Sequence, residues 1–387
     1  MRSSGGVRTP DPGRVYAPVI SKPLARNVGL ALGAAAVTLV AAEAVLRVVP
    51  GALPEEVALR MHWTEIREME PVTSGDPVLG FRYPANAEIH VRRGDTRFLY
   101  HTDAHGFRNA SPWPETADVV VVGDSQVFGW GVADDEVWVH LLDQALPETS
   151  VINLGLTGAA PKQYTRVLER FGLGLRPSLV VYTLFPGNDG ADEELFNRWE
   201  AAGSPGNYDV WRFFRGSVPS RDLVSRIMGR SALVGLVRAA RSGRPLSGST
   251  MTFADGTRVR IAPGAYASAA SKLLDGNPGR ESALTSVESA RELATDIGAR
   301  FLVVLVPTKE EVYLPGLGQD PPQLSQALIG ALAERGFEVL DLTPALRAAD
   351  DGGTALFFEI DGHPNAAGHR AMARAVEHRL RTGHPGD

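Results

Sequence analysis

Residues 118–131 read Asp-Val-Val-Val-Val-Gly-Asp-Ser-Gln-Val-Phe-Gly-Trp-Gly, and the fold turns on them. Four consecutive valines suit a strand buried on both faces, because a half-exposed strand would alternate apolar with polar residues. The run stops at Gly123-Asp124-Ser125, where a turn carries the chain out of the sheet. A serine just past the carboxyl end of a buried parallel strand lies where α/β sheets bind their ligands. Ser125 is therefore the first candidate nucleophile. The same turn reads equally as a strand-to-helix junction with Ser125 as a helix cap.

Strands alternate with helices from there to the carboxyl end. Strands are expected at residues 151–154, 179–184, 301–306 and 338–342, and helices at 136–145, 162–171, 281–297, 323–335 and 366–380. This alternation predicts a three-layer α/β/α domain over residues 118–382, built on a parallel sheet. Right-handed crossovers then gather every strand-to-helix loop on one rim. An insertion interrupts the pattern over 190–277. It carries Phe196, Trp199, Tyr208, Trp211, Phe213 and Phe214, then an Arg-rich helical stretch at 225–240. It reads as a lid or substrate platform at the rim, or as a satellite core.

Upstream, residues 1–27 form a basic tail, with Arg2, Arg8, Arg14, Lys22 and Arg26 against Asp11. Residues 28–49 follow as a transmembrane anchor, close to the ~20 apolar residues that span a bilayer. Glu43 lies near its far end beside Arg47, where it can reach the interface. The basic flank puts the amino terminus in the cytoplasm and the bulk of the chain in the periplasm or outside the cell. The alternatives are a buried Ala-rich helix and a cleaved signal peptide, for which Ala42 and Ala44 are small enough. Residues 50–75 read as a juxtamembrane linker and 76–117 as a small β-rich flap.

A net charge of −6 gives no reason to expect a nucleic-acid partner, and the absence of cysteine removes disulfides, thiolate metal sites and a cysteine nucleophile. Four rim loops carry the residue types that acyl transfer needs. They are Gly123-Asp124-Ser125, the loop with Gly155 and Gly158, Pro186-Gly187-Asn188-Asp189, and Asp361-Gly362-His363-Pro364-Asn365. Each alone is ordinary turn chemistry. In this order, at successive strand ends, they are specific.

Together they resemble the SGNH (GDSL) hydrolase family, named for Ser, Gly, Asn and His in four separated blocks. The resemblance covers residues 118–190 and 280–380 and implies a flavodoxin-like fold. Ser125, Asp361 and His363 match its catalytic residues; Ser125, Gly158 and Asn188 match its oxyanion donors. The last block reads Asp-x-His where many members have Asp-x-x-His, so Glu359 is the other carboxylate that could orient His363. A Pro307-x-Lys309-x-x-x-Tyr313 stretch is similar to one in domains that O-acetylate bacterial exopolysaccharides, and nominates Lys309 and Tyr313 to bind a sugar or an acyl donor. As a loop charge and a packed aromatic they would have no such role.

A serine hydroxyl needs a base within hydrogen-bond reach, and His363 can take and return a proton near neutrality. His369 and His378, in the closing helix, read as surface or capping residues, and His101 and His105 match no block. No metal or cofactor is expected. The leading expectation is a membrane-anchored serine esterase acting on an acyl ester of a glycan or lipid. An O-acyltransferase with the same triad is the alternative, and a non-catalytic flavodoxin-like binding module is the alternative of another class.

Overall fold

The computed structural model describes residues 22–49, 53, 73–93, 96–215, 231–241, 249–261 and 276–383. Most of the basic tail, nearly all of the linker and the middle of the 190–277 segment fall outside these. The chain divides into two units, 1–52 and 53–387.

In the first unit a helix spans Lys22–Val48. Its stretch Gly29–Val48 has a mean hydropathy of 2.0 over 20 residues, long and apolar enough to cross a bilayer. Leu30, Leu32, Val37 and Val40 are exposed along it. Arg47 Nε donates to Glu43 Oε1 at 2.7 Å, so the one acid in the span is paired one turn from its end.

The second unit opens with two antiparallel hairpins, β1 (Ser74–Asp76) with β2 (Gly80–Arg82) and β3 (Glu88–Arg93) with β4 (Thr96–His101). The central sheet holds β5 (Val119–Gly123), β6 (Val151–Gly155), β7 (Leu179–Leu184), β10 (Arg300–Leu305) and β11 (Val339–Asp341). A third hairpin, β8 (Ser249–Thr252) with β9 (Arg258–Ile261), lies between β7 and β10 in sequence. All pairs within the central sheet are parallel, in the order β11-β10-β7-β5-β6. Counted along the chain this is the 2-1-3-4-5 order of flavodoxin-like sheets, whose switch point lies between the first and third strands, here β5 and β7.

Val119–Val122 are all buried, as a doubly covered strand requires. Val120 and Val122 pack on one face with Tyr164, Phe196, Leu284 and Leu328. Val119 and Val121 pack on the other with Trp138, Leu142, Leu346 and Met372. Successive side chains point to opposite faces, so one short strand serves both halves of the core.

Several helix ends differ from expectation for local reasons. Val137 is extended, so the helix expected from Glu136 begins at Trp138 after a 3₁₀ turn. Asn277 caps and Pro278 opens the helix Pro278–Asp296, three residues before the expected start. The β-rich segment is built into the core through Leu79, Phe81, Tyr83, Ile89, Tyr100 and Phe107. Likewise, the 190–277 segment begins within the helix Asp189–Ala201. Its Phe196 and Trp199, with Tyr208 from the next helix, are fully buried in that same cluster.

Candidate active site

The site forms at the switch point, where the turn after β5 carries Ser125 and the turn after β7 carries Asn188. Asp124 caps the single-turn helix Ser125–Phe128, its Oδ1 accepting the Gln126 N–H at 2.9 Å. That helix lies directly on β6: a Cβ at Gly155 would fall 2.3 Å from Phe128 N, so glycine is what admits it. The carbonyls at the helix end need donors, and two buried side chains supply them. Asn153 Nδ2 donates to Val127 O at 2.9 Å. The Arg108 guanidinium, 1% exposed, donates to the carbonyls of Phe128, Gly129 and Val132 at 2.7–3.2 Å and to Asp134 at 2.6 Å.

Ser125 is 7% exposed, and its Oγ lies 2.7 Å from His363 Nε2. His363 Nδ1 lies 2.6 Å from Asp361 Oδ1, which also accepts the backbone N–H of His363 at 3.1 Å. A proton on Nδ1 satisfies both contacts and leaves the Nε2 lone pair to accept the Ser125 O–H. The two-residue spacing works because one carboxylate oxygen takes both the ring and the main chain of the same histidine. Glu359 is engaged elsewhere, by Arg260 at 3.1 Å and Arg258 at 3.2 Å.

Asp124 Oδ2 lies 3.3 Å from Ser125 Oγ, whose one proton goes to the shorter His363 contact, and accepts from Asn188 Nδ2 at 3.2 Å, so the serine and the asparagine amide converge on one oxygen. Burial pushes the Asp124 carboxyl above the usual range, against the Gln126 N–H and the nearby His363. The turn presenting Asn188 is fixed by Asp189, which accepts from Phe185 N–H and Tyr164 OH, both at 2.7 Å. Burial raises the Asp189 carboxyl strongly, and the neighbouring charge of Asp124 adds to it. Gly158 stands on the adjacent loop, tied to the end of β5 by Leu156 N–H on the Gly123 carbonyl at 3.0 Å.

Lys309 and Tyr313 lie in closed surroundings. Lys309 is 2% exposed, and its Nζ donates to the Ile360 carbonyl at 2.8 Å, one residue before Asp361. It props the Asp361–Asn365 loop. Tyr313 is 1% exposed; its hydroxyl accepts the Leu356 N–H at 2.8 Å and its ring packs on Phe253 and Phe357. Burial lifts its phenol well above the ordinary value. Both side chains are buried among protein groups.

The other histidines separate by surroundings. His101 Nδ1 meets Asp134 at 2.7 Å, His105 packs on Trp113, and His378 is exposed. Buried His369 accepts the Trp138 N–H on Nδ1 at 3.2 Å, a cap on the helix Trp138–Ala145. Arg108, Asn153 and Lys309 are the supports that motif reading passed over. Arg108 lies outside the motif blocks, and the acceptors of Arg108 and Asn153 are identified only by the fold.

Residues 121–371 match the GDSL-like lipase/acylhydrolase family model. Among solved structures, a member of the lipolytic protein G-D-S-L family from Veillonella parvula is 16% identical, at TM-score 0.36, over 68% of this chain and 96% of that one. A catalytic mutant of an acetylxylan esterase from Geobacillus stearothermophilus is 12% identical, at TM-score 0.36, over 69% and 95%. A GDSL-like lipase from Bacteroides thetaiotaomicron is 12% identical, at TM-score 0.35, over 71% and 93%. No curated protein matches the chain by sequence.

Proposed function

The chain belongs to the GDSL-like lipase/acylhydrolase family, and on that premise we propose that it is a serine esterase cleaving an acyl ester of a glycan or lipid outside the cytoplasmic membrane. The observation that carries this is the 2.7 Å approach of Ser125 Oγ to His363 Nε2, with Asp361 on the opposite ring nitrogen. Ser125 Oγ attacks the ester carbonyl while its proton passes to Nε2, and Asp361 stabilises the imidazolium. The negative charge gathering on the carbonyl oxygen is met by the N–H groups of Ser125 and Gly158 and by Asn188 Nδ2. That amide has a second hydrogen beyond the one on Asp124. Collapse expels the alcohol, which leaves with the proton from His363, and the acyl group stays on Ser125. Water then repeats the sequence, releasing the carboxylic acid and the free serine. The apolar span Gly29–Val48 supports anchoring in the membrane, with basic Arg26 on the cytoplasmic side.

The test is fluorophosphonate labelling of the wild type and Ser125→Ala, followed by a panel of acyl esters with and without an oligosaccharide acceptor. Labelling and hydrolysis are expected in the wild type only. Hydrolysis by Ser125→Ala at the wild-type rate would overturn the reading. Acyl transfer to the oligosaccharide outrunning hydrolysis would reassign the same triad to an O-acyltransferase.

A further inference from the structure

The helix Tyr208–Arg215 belongs to the segment between β7 and the helix Pro278–Asp296, outside every motif block. One of its side chains nevertheless reaches the glycine of the second block. Arg212 Nη1 donates to the Gly158 carbonyl, and Nη2 reaches the Thr157 carbonyl at 3.4 Å. The guanidinium is held for this from several sides. Asp209 Oδ1 accepts from it at 2.6 Å, and the rings of Phe81 and Tyr208 lie 5.4 and 5.7 Å away. Asp209 is itself fixed, its Oδ2 accepting from Thr73 Oγ1 at 3.0 Å. Gly158 is in the left-handed region at φ +62°, and a Cβ there would fall 2.1 Å from Nη1. No other residue type leaves room for the guanidinium.

The geometry has a directional consequence. In a trans peptide the C=O and the N–H point to opposite sides. A Thr157 carbonyl turned toward Arg212 therefore aims the Gly158 N–H away from it. That N–H donates to no acceptor among the described residues. On the same residue, Thr157 Oγ1 is bonded to the Tyr83 hydroxyl, a second restraint from the β-rich segment.

We propose that Arg212 is a positioning residue that locks the Thr157–Gly158 peptide with its N–H aimed at the developing oxyanion. This rests on the esterase reading given above. Arg212 touches no reacting atom; it acts through the main chain of Gly158. Without it the peptide can rotate and present a carbonyl where a donor is needed.

The test compares full-length wild type, Arg212→Ala and Arg212→Lys in hydrolysis of an activated acetyl ester and in the rate of fluorophosphonate uptake at Ser125. Removing one oxyanion donor costs ~10²–10³ in kcat, so a donor left in place but unaimed is expected to cost about 10–10². The loss should appear in kcat with KM little changed, and free guanidinium at sub-denaturing concentration should restore part of it. Arg212→Lys should fall between, because an ammonium lacks the planar fork that spans two carbonyls. If Arg212→Ala does not fold, Arg212→Lys and its phosphonate uptake carry the test. Wild-type labelling with an unchanged rate in both variants overturns this inference alone. Absence of labelling in the wild type overturns the esterase reading and this inference with it.

Discussion

The loop Asp361–Asn365 and the helix that follows it, Ala366–Thr382, each carry a histidine, six residues apart, and the two have opposite chemistry. In the loop, His363 has a carboxylate on Nδ1 and a hydroxyl on Nε2, so a proton taken up at Nε2 is compensated at once. In the helix, His369 is 1% exposed and spends its Nδ1 lone pair on the Trp138 N–H. Burial, with smaller effects from Arg108 and His363, pushes its imidazole down to about 3. One ring is built to change charge and the other to stay neutral. Residue type and chain spacing do not distinguish them; the partners on each nitrogen do.

The largest expected effect comes from the same substitution made on each side of this divide. His363→Asn removes the base and is expected to cut kcat on an acyl ester by about 10⁶, as removal of the histidine does in other serine hydrolases. His369→Asn should leave kcat within a few-fold. A comparable loss of turnover in both variants, at equal folding, would break the contrast.

The contrast also marks what was legible in the sequence. The meeting of Ser125, Asn188, Asp361 and His363 could be anticipated because each lies in a short turn directly after a strand or before a helix. Sheet topology, which follows from the strand-helix alternation, brings those turns to one rim. Lys309 and Tyr313 were nominated on the same logic, since they also follow a strand, and both are buried. The sequence signal for that burial is Thr308-x-x-Glu311, a capping box that folds the chain into a helix at once. Arg108, Arg212 and Tyr83 were not legible as parts of the site. Their partners are main-chain carbonyls, a carboxylate and a hydroxyl 20 to 74 residues away, and no local pattern encodes such a contact.

A middle-sized effect sharpens the comparison by testing what each region leans on. The loop depends on a prop from outside itself, Lys309 Nζ on the Ile360 carbonyl, whereas the helix is capped by its own Asn365, whose Oδ1 accepts from Ala367 and Gly368 N–H. Lys309→Met keeps the apolar stem and removes the donor. Leaving a buried carbonyl unpaired costs ~1–3 kcal/mol of stability. A shift of His363 by about 1 Å can cost up to ~10² in kcat. Turnover and the urea midpoint, measured together, should both fall. A variant with lowered stability but unchanged kcat would show that the loop keeps its geometry without the lysine.

The smallest effect lies in the helix and appears only against pH. His369 is neutral in the native state down to about pH 3, while in the unfolded chain it protonates near 6.5. Above that value both states carry a neutral ring and the difference vanishes. Between about 6.5 and 3 the unfolded state binds the extra proton, so stability falls as pH falls, by on the order of a few kcal/mol across the range. The buried carboxyls of Asp124, Asp189, Glu193 and Glu311 act in the other direction. Their raised values let the native state hold protons that the unfolded state has released, so they lower stability as pH rises through the acid range. The informative quantity is therefore the difference between wild type and His369→Asn, in which the carboxyl contributions cancel. Asparagine can offer an acceptor to the Trp138 N–H and does not titrate. It should lower the urea midpoint at pH 8 through the smaller side chain, yet lose less than the wild type on going from pH 6.5 to 4. Parallel curves for the two proteins would mean that His369 takes up its proton in the folded state, and the division between a charging and a neutral histidine would fail.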